Sequence, residues 1–194
     1  INNDADSGPE IFRQKIEISL TDDINDIYFK CHLALSQMFT KFLKNTKNIN
    51  FTKYKGPYKF LPKMTPAEGF VDWTRSKIDV YNFIRSKTFP YRSAFTYLNK
   101  KLLEIKSVQL INTNFYHKYR CGEIVLILND KRLLVSVKKG FLTIEIYEKN
   151  ITNMKEGQIL KSVNFRKQMK TIIDRHYKTN PKQKLNNMIM RLTK

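Results

Sequence analysis

Residues 51–99 read FTKYKGPYKFLPKMTPAEGFVDWTRSKIDVYNFIRSKTFPYRSAFTYLN, and the rest of the chain is arranged around them. The stretch holds the only tryptophan and four of the six prolines of the 194-residue chain. Because proline cannot continue a helix and pushes the preceding residue toward extended geometry, residues 51–66 are predicted to run as an irregular crossing loop. Cap-type residues at 72–74 then precede an apolar stripe at helical spacing, which predicts a short helix (Ile78, Tyr81 and Ile84). We interpret this stretch as the joint between two bodies.

Apolar and β-branched runs after the joint predict a sheet. A first region spans residues 94–110, and three shorter runs follow it, separated by turn residues at Asn129-Asp130 and Lys139-Gly140. This spacing is typical of a small antiparallel barrel with five or six strands, placed over residues 93–163. The three shorter runs are Ile124–Ile127, Leu133–Val137 and Leu142–Ile146.

Residues 1–50 predict a turn, a strand and a long helix. Gly8 permits backbone angles that other residues resist, and isoleucines at 11, 16 and 18 alternate with charged residues, which predicts a strand. Acidic residues at 22–23 then mark the positive end of a helix. Cys31 falls on the apolar stripe of this helix and is predicted to be a small core residue. The stripe comprises Ile24, Ile27, Tyr28, Cys31, Leu35, Met38, Phe39 and Phe42.

The chain ends in a basic extension over residues 164–194. Its apolar residues predict two helices interrupted at Pro181. The extension either packs through its apolar side or binds a polyanion or a protein partner.

Composition bounds the function. The 41% hydrophobic content can bury a core, and no apolar run approaches the length of a membrane helix, so a soluble protein without a membrane partner is expected. Cys31 and Cys121 lack metal-ligand spacing, which predicts no metal site and favours a reducing compartment such as the cytoplasm. The net charge of +19 suggests a polyanionic ligand, although abundant Lys, Asn and Ile could also reflect AT-rich coding alone.

Five short motifs in the joint and the barrel entry resemble the folate-dependent formyltransferases, which include sugar-nucleotide formyltransferases and methionyl-tRNA formyltransferase. They are Pro62-x-x-Thr65-Pro66, Asp72-Trp73, Ile84-Arg85, Pro90-Tyr91 and Ala94-Phe95-Thr96. Asp4-Ala5-Asp6-Ser7-Gly8-Pro9 is similar to the turn that carries the catalytic aspartate of this family, and Cys121-Gly122-Glu123-Ile124 is similar to its C-terminal barrel. The resemblance covers roughly residues 4–162. One departure is Arg92-Ser93, which replaces the usual Pro-Gly.

The resemblance implies an α+β architecture with four parts. Residues 1–50 would end an α/β nucleotide-type catalytic domain, and residues 51–92 would form a linker loop and helix. Residues 93–163 would form an OB-like barrel, and residues 164–194 a basic helical tail. Because the chain opens without Met at a catalytic-type turn, it reads as the rear part of a longer enzyme that would be inactive as a fragment.

The resemblance also implies a chemistry. The enzyme would transfer a formyl group from 10-formyltetrahydrofolate to an amine, with Asp6 positioning a histidine that, with an asparagine, lies in an upstream element. The sequence of the crossing loop resembles the amino-sugar branch of the family more than the tRNA branch, so a nucleotide-linked amino sugar is the predicted acceptor. An aromatic ring there could stack a base and a lysine could meet a diphosphate. These candidate substrate-binding residues are Tyr54, Lys55, Phe60 and Lys63.

Three alternatives stay open at this point. The acceptor could be methionyl-tRNA, or the chain could be a basic small-barrel module that binds single-stranded nucleic acid through charge and stacking. Nucleic acid is the less favoured partner. A homodimer is also open, because an apolar barrel or tail face could pair with itself.

Overall fold

The computed structural model consists of two compact units, Ile1–Tyr58 and Lys59–Lys194, each of which is described by itself. The residues that the structure describes are 8–47, 49–53, 60–112, 118–129, 131–147 and 154–193. The predicted α+β fold class is confirmed, with helices and a five-stranded antiparallel sheet.

The first unit contains one long helix, α1 (Ile24–Lys44). The predicted start is confirmed: Asp23 is the N-cap, its side chain accepts hydrogen bonds from the backbone N–H groups of Asn25 and Asp26, and Asp26 completes a capping box. The only buried residue of α1 is Ala34. Cys31 is exposed within this unit, contrary to its predicted place in a core. Large apolar side chains of α1 are also exposed, namely Phe29, Leu33, Leu35, Phe39 and Leu43.

The strand predicted over residues 11–18 is wrong. That segment is irregular, and the only pairing beside it is a single antiparallel bridge between Glu10 and Thr52, with N···O distances of 2.9 and 2.8 Å. A strand needs a continuous partner for its backbone groups, which the described residues of this unit do not supply. The alternation of apolar and charged residues was therefore not enough to form a strand.

The second unit is built on the predicted antiparallel sheet, in the order β1-β2-β5-β4-β3. All its neighbouring strands run antiparallel, and β4 pairs with β5 in continuous register from Arg132↔Glu145 to Val137↔Gly140. The strands are β1 (Phe95–Leu98), β2 (Lys101–Leu110), β3 (Ile124–Asn129), β4 (Arg132–Val137) and β5 (Gly140–Ile146).

An extended segment at residues 157–163 links the two outer strands of this sheet. The Ile124 N–H donates to the carbonyl oxygen of Gln158 at 2.8 Å, and the Leu160 N–H donates to that of Gly122 at 2.8 Å. On the other side, the Lys161 N–H donates to the carbonyl oxygen of Tyr97 at 2.8 Å. The segment thus bridges β1 to the start of β3 and satisfies backbone groups that a sheet edge would expose.

The core of the second unit lies between the sheet and the predicted linker helix, α2 (Lys77–Arg85). This helix packs against β2 and β5. Trp73 is fully buried in the same core, and its indole N–H donates to Thr96 Oγ1 at 3.3 Å. A 3₁₀ helix, Pro66–Gly69, precedes them. Cap-type residues were predicted at 72–74, but the N-cap is Ser76, whose hydroxyl accepts the Asp79 N–H at 3.2 Å.

The basic tail forms the two predicted helices, α3 (Phe165–Thr179) and α4 (Asn187–Arg191). One side of α3 is buried, at Met169, Ile172, Ile173 and His176. Leu185, between the two helices, is buried as well. The apolar side of the tail therefore packs within the second unit, while most of its cations face solvent.

Candidate functional site

The sequence-predicted site residues fall partly outside the described chain. Asp6, Tyr54 and Lys55 lie outside the described residues. Phe60 and Lys63 are described, and both are exposed. Their roles in catalysis and substrate binding stay predictions.

Backbone bonds hold the Phe60 segment against the tail. The Phe60 N–H donates to the carbonyl oxygen of Lys184 at 3.3 Å, and the Asn186 N–H donates to that of Phe60 at 3.0 Å. The Phe60 ring is 38% exposed. The crossing loop is thus fixed here by main-chain pairing, which leaves the aromatic ring accessible.

Arg175 of α3 holds the segment that contains Lys63 and Glu68. One nitrogen of its guanidinium donates to Glu68 Oε1 at 2.7 Å, and the other donates to the carbonyl oxygen of Lys63 at 2.7 Å. Glu68 is buried and also accepts the Thr65 N–H. Burial would raise the pKa of Glu68, but the hydrogen bonds from Thr65 and Arg175 outweigh it and lower the pKa. A carboxylate is therefore held ionised beneath the loop.

A pocket of about 340 Å³ opens between residues 64–66, residues 86–87 and residues 91–92 of the second unit. It contains two cations, Lys87 and Arg92, and an exposed aromatic ring, Tyr91. Burial lowers the pKa of Lys87, and the negative charge of Glu68 partly offsets this effect. The lining residues are Met64, Thr65, Pro66, Ser86, Lys87, Tyr91 and Arg92.

Sequence reasoning missed Lys87 and Tyr91 as site candidates. Lys87 directly follows the C-cap of α2, Ser86, where a lysine is ordinary. It becomes notable only because residues 64–66 and 91–92 fold beside it to form the pocket. No local pattern in the sequence predicts that these residues lie together.

Asp72 organises the segment that precedes α2. Its carboxylate accepts hydrogen bonds from the Thr74 N–H and hydroxyl at 3.0 and 2.6 Å, from the Ser162 hydroxyl at 3.1 Å, and from the Phe165 N–H at 2.9 Å. Burial would raise the pKa of Asp72, but these hydrogen bonds, led by that of Thr74, lower it. This ionised carboxylate ties the segment before α2 to the start of α3.

Within the described residues, no three His, Cys, Asp or Glu side chains lie close enough together to hold a metal ion. No helix in this part of the chain is both long enough and apolar enough to cross a bilayer.

Comparison with known proteins identifies the family of this chain. The family model described as "Formyl transferase, C-terminal domain" matches residues 63–164. The methionyl-tRNA formyltransferase of Fusobacterium nucleatum is 26% identical over 147 residues, covering 74% of this chain and 47% of its own length. That of Caldicellulosiruptor saccharolyticus is 28% identical over 142 residues, covering 72% and 45%.

A third relative is the bifunctional polymyxin resistance protein ArnA of Wigglesworthia glossinidia brevipalpis. It is 32% identical over 157 residues, covering 76% of this chain and 23% of its own length. The chain thus spans about half the length of the methionyl-tRNA formyltransferases described above, and less of ArnA. Because the family model covers more than half of the 194 residues, including α2 and every strand of the sheet, the chain belongs to the formyl transferase family through its C-terminal domain.

Proposed function

We propose that this chain is part of an enzyme that transfers a formyl group from 10-formyltetrahydrofolate to the amino group of a nucleotide-linked amino sugar. The match of residues 63–164 to the C-terminal domain of the formyl transferases carries the proposal of a formyl transfer. The amino-sugar acceptor is supported by the sequence of residues 54–63, which resembles the amino-sugar branch of the family more than the tRNA branch.

The pocket of about 340 Å³ supports an acceptor that carries phosphate. Lys87 and Arg92 line it, and Tyr91 adds an exposed ring. Phosphate groups are bound by such cations, and nucleobases stack on such rings. We therefore assign the nucleotide end of the acceptor to this pocket and to Phe60 and Lys63.

The chemistry requires a proton acceptor for the attacking amine and stabilisation of the oxyanion that develops on the formyl group. The bound folate would supply the formyl group. In this proposal Asp6 positions the histidine that takes the proton, as the resemblance at residues 4–9 implies. An Asp6→Asn variant would keep a side chain of similar size but lose the charge that favours the protonated histidine.

Methionyl-tRNA is the second candidate acceptor. Five of the relatives are named methionyl-tRNA formyltransferases, and the net charge of +19 suits a polyanion. The salt dependence of the reaction separates the two acceptors. A tRNA substrate contacts many phosphates, so its KM should rise steeply with salt, whereas a sugar nucleotide presents only a diphosphate.

The test uses the intact source protein with 10-formyltetrahydrofolate and either a panel of nucleotide-linked amino sugars or methionyl-tRNA, with the formylated product identified by mass spectrometry. We expect formylation of one amino sugar, loss of most of the rate in Asp6→Asn, and a raised KM with little change in kcat in Lys87→Met. Lys118→Met, an exposed lysine outside the pocket, is the matched control. Exclusive formylation of methionyl-tRNA would replace the acceptor, and near-normal turnover by Asp6→Asn would remove its assignment.

Other outcomes would favour the remaining alternatives. Salt-sensitive RNA binding with no formyl transfer to either acceptor would support a nucleic-acid-binding module instead. Light scattering of the intact protein tests the homodimer. Both cysteines are free thiols, which supports the reducing, cytoplasmic compartment that we propose for the enzyme.

A further inference from the structure

A larger cleft of about 680 Å³ lies in the second unit, between the loop before α2, the turn joining β4 to β5, the start of α3 and the end of α4. Five cationic side chains line it, against two carboxylates, Asp72 and Asp79. We call it the basic cleft. Its cations are Arg75, Lys138, Lys139, Arg166 and Arg191.

Both carboxylates of the basic cleft are already engaged. Asp72 accepts four hydrogen bonds from Thr74, Ser162 and Phe165. Asp79 pairs with Arg75 at 3.3 Å and accepts the Ser76 hydroxyl at 2.8 Å. Asp79 is paired with a cation, whereas the donors to Asp72 are neutral and leave its charge in place, so five cations against two carboxylates give the lining a net charge of +3.

Those remaining cations have no internal partner. Within the described residues, the side chains of Lys138, Lys139, Arg166 and Arg191 make no ion pair and no hydrogen bond. The backbone N–H of Arg166 lies in the first turn of α3 and likewise has no acceptor among those residues. Four unpaired cations and a helix-end donor thus line one concavity that carries a net positive charge.

The backbone of Lys139 is in a left-handed conformation. Lys138 and Lys139 form the two-residue turn between β4 and β5, and Lys139 has φ = 63°. This left-handed conformation favours Gly, Asn or Asp and costs a residue such as lysine about 1 kcal/mol. Local backbone geometry therefore does not favour a lysine here, and the same holds for Lys100, which lies outside the cleft, so this conformation by itself does not point to a ligand.

The volume and the lining of the basic cleft limit the kind of ligand that it can bind. Phe165 lines the cleft, but Arg75 lies over its ring at 4.0 Å from the centroid, so that face is closed to a nucleobase. The volume falls within the range of about 300–1,000 Å³ that is typical of small-molecule sites. Arginine and lysine side chains together with a free helix N–H suit phosphate oxygens.

We propose that the basic cleft binds the phosphate or diphosphate group of a small phosphorylated molecule. This site does not depend on the acceptor or on the activity assigned above. The contacts are supplied by Lys139 and Lys138 from the turn, by Arg166 and its N–H from α3, and by Arg191 from α4.

Calorimetric titration of the full chain with inorganic pyrophosphate at low ionic strength tests the proposal. We expect binding at one site, with Lys139→Asn weakening Kd by about fivefold or more, because one charge-assisted contact is lost at a partly open site. Asn tolerates the left-handed conformation, so this variant should fold at least as well as the parent. Arg166→Gln is the second variant and should weaken Kd similarly.

Lys100→Asn is the matched control. Lys100 occupies the turn between β1 and β2 with φ = 69°, so the substitution removes the same charge from the same backbone conformation outside the cleft. We expect it to leave Kd unchanged. Three results would each overturn the proposal: no pyrophosphate binding, equal losses in Lys139→Asn and Lys100→Asn, or tighter binding of a single-stranded RNA oligonucleotide through the same residues.

Discussion

The carboxylate of Asp72 accepts the backbone N–H of Phe165 at 2.9 Å, across 93 residues of sequence. Phe165 is the first residue of α3, where backbone N–H groups lack intrahelical partners. Asp72 therefore stabilises a helix end from a distant part of the chain, while its other oxygen is bound by Thr74 and Ser162. The joint and the tail meet at this carboxylate.

Asp72→Ala should lower the free energy of unfolding by about 2–3 kcal/mol, because several donors lose a charged acceptor together. Urea denaturation of the full chain, followed by the fluorescence of its only tryptophan, measures this change. Asp79→Ala is the control: the Asp79 side chain is 47% exposed, and we expect a loss of no more than about 1 kcal/mol. Equal losses in the two variants would contradict the role given to Asp72.

Arg175→Met should lower the free energy of unfolding by about 2 kcal/mol, because the buried carboxylate of Glu68 then loses its cation. Arg175→Lys should recover only part of this loss, since a lysine cannot reproduce the two-armed contact with Glu68 and the Lys63 carbonyl. Chemical denaturation gives both values. Lys178→Met, on an exposed position of the same helix, should change stability little, and a comparable loss there would argue against the pairing.

Gly122→Ala should destabilise the second unit more than Gly157→Ala. Both glycines have left-handed backbones, with φ of 85° and 82°. A Cβ at Gly122 would lie 2.8 Å from the Leu160 carbonyl oxygen and 3.2 Å from Trp73 Cδ1, whereas one at Gly157 would meet nothing within 4 Å.

We therefore expect thermal denaturation to show about 1 kcal/mol of lost stability for Gly157→Ala, from backbone strain alone. Gly122→Ala should lose at least about 2 kcal/mol, since the contact with Trp73 and Leu160 adds overpacking to that strain. Similar midpoints for the two variants would mean that the contact at Gly122 relaxes without cost.

Asp22 should titrate near pH 2. The hydrogen bond from Lys30, at 2.5 Å, is the main cause that lowers the pKa of Asp22 to about 2, and hydrogen bonds from Ser19 add to it. A lowered folded-state pKa means that the ionised pair stabilises the first unit fully above the ordinary pKa, and that this contribution is lost as pH falls toward 2.

NMR titration of the Asp22 carboxyl carbon measures its midpoint directly. In Lys30→Met the midpoint should rise toward the ordinary aspartate value, because the principal donor is gone. Lys41→Met removes a lysine near the far end of α1 and should leave the midpoint unchanged. An Asp22 midpoint near 4 in the parent chain would contradict the pairing.

Local patterns predicted much of the fold. The strands over residues 94–110 and 124–146, the helix starting after Asp23 and the two tail helices were all predicted from apolar periodicity, turn residues and caps. The strand at 11–18 failed because alternation does not supply a pairing partner. The cap predicted at 72–74 was wrong for α2, and the bond from Asp72 to Phe165 was missed because Phe165 is its neighbour only in space.

The sequence by itself determined the α+β class, the order of the elements and the membership of the formyl transferase family, because caps, periodicity and family motifs are written in residues close together along the chain. Only the tertiary structure decided that residues 157–163 bridge the outer strands, that Arg175 neutralises Glu68, and that four unpaired cations share one cleft. Those relationships join residues far apart in sequence. Their stability depends on burial and on distances that are fixed only when the chain packs.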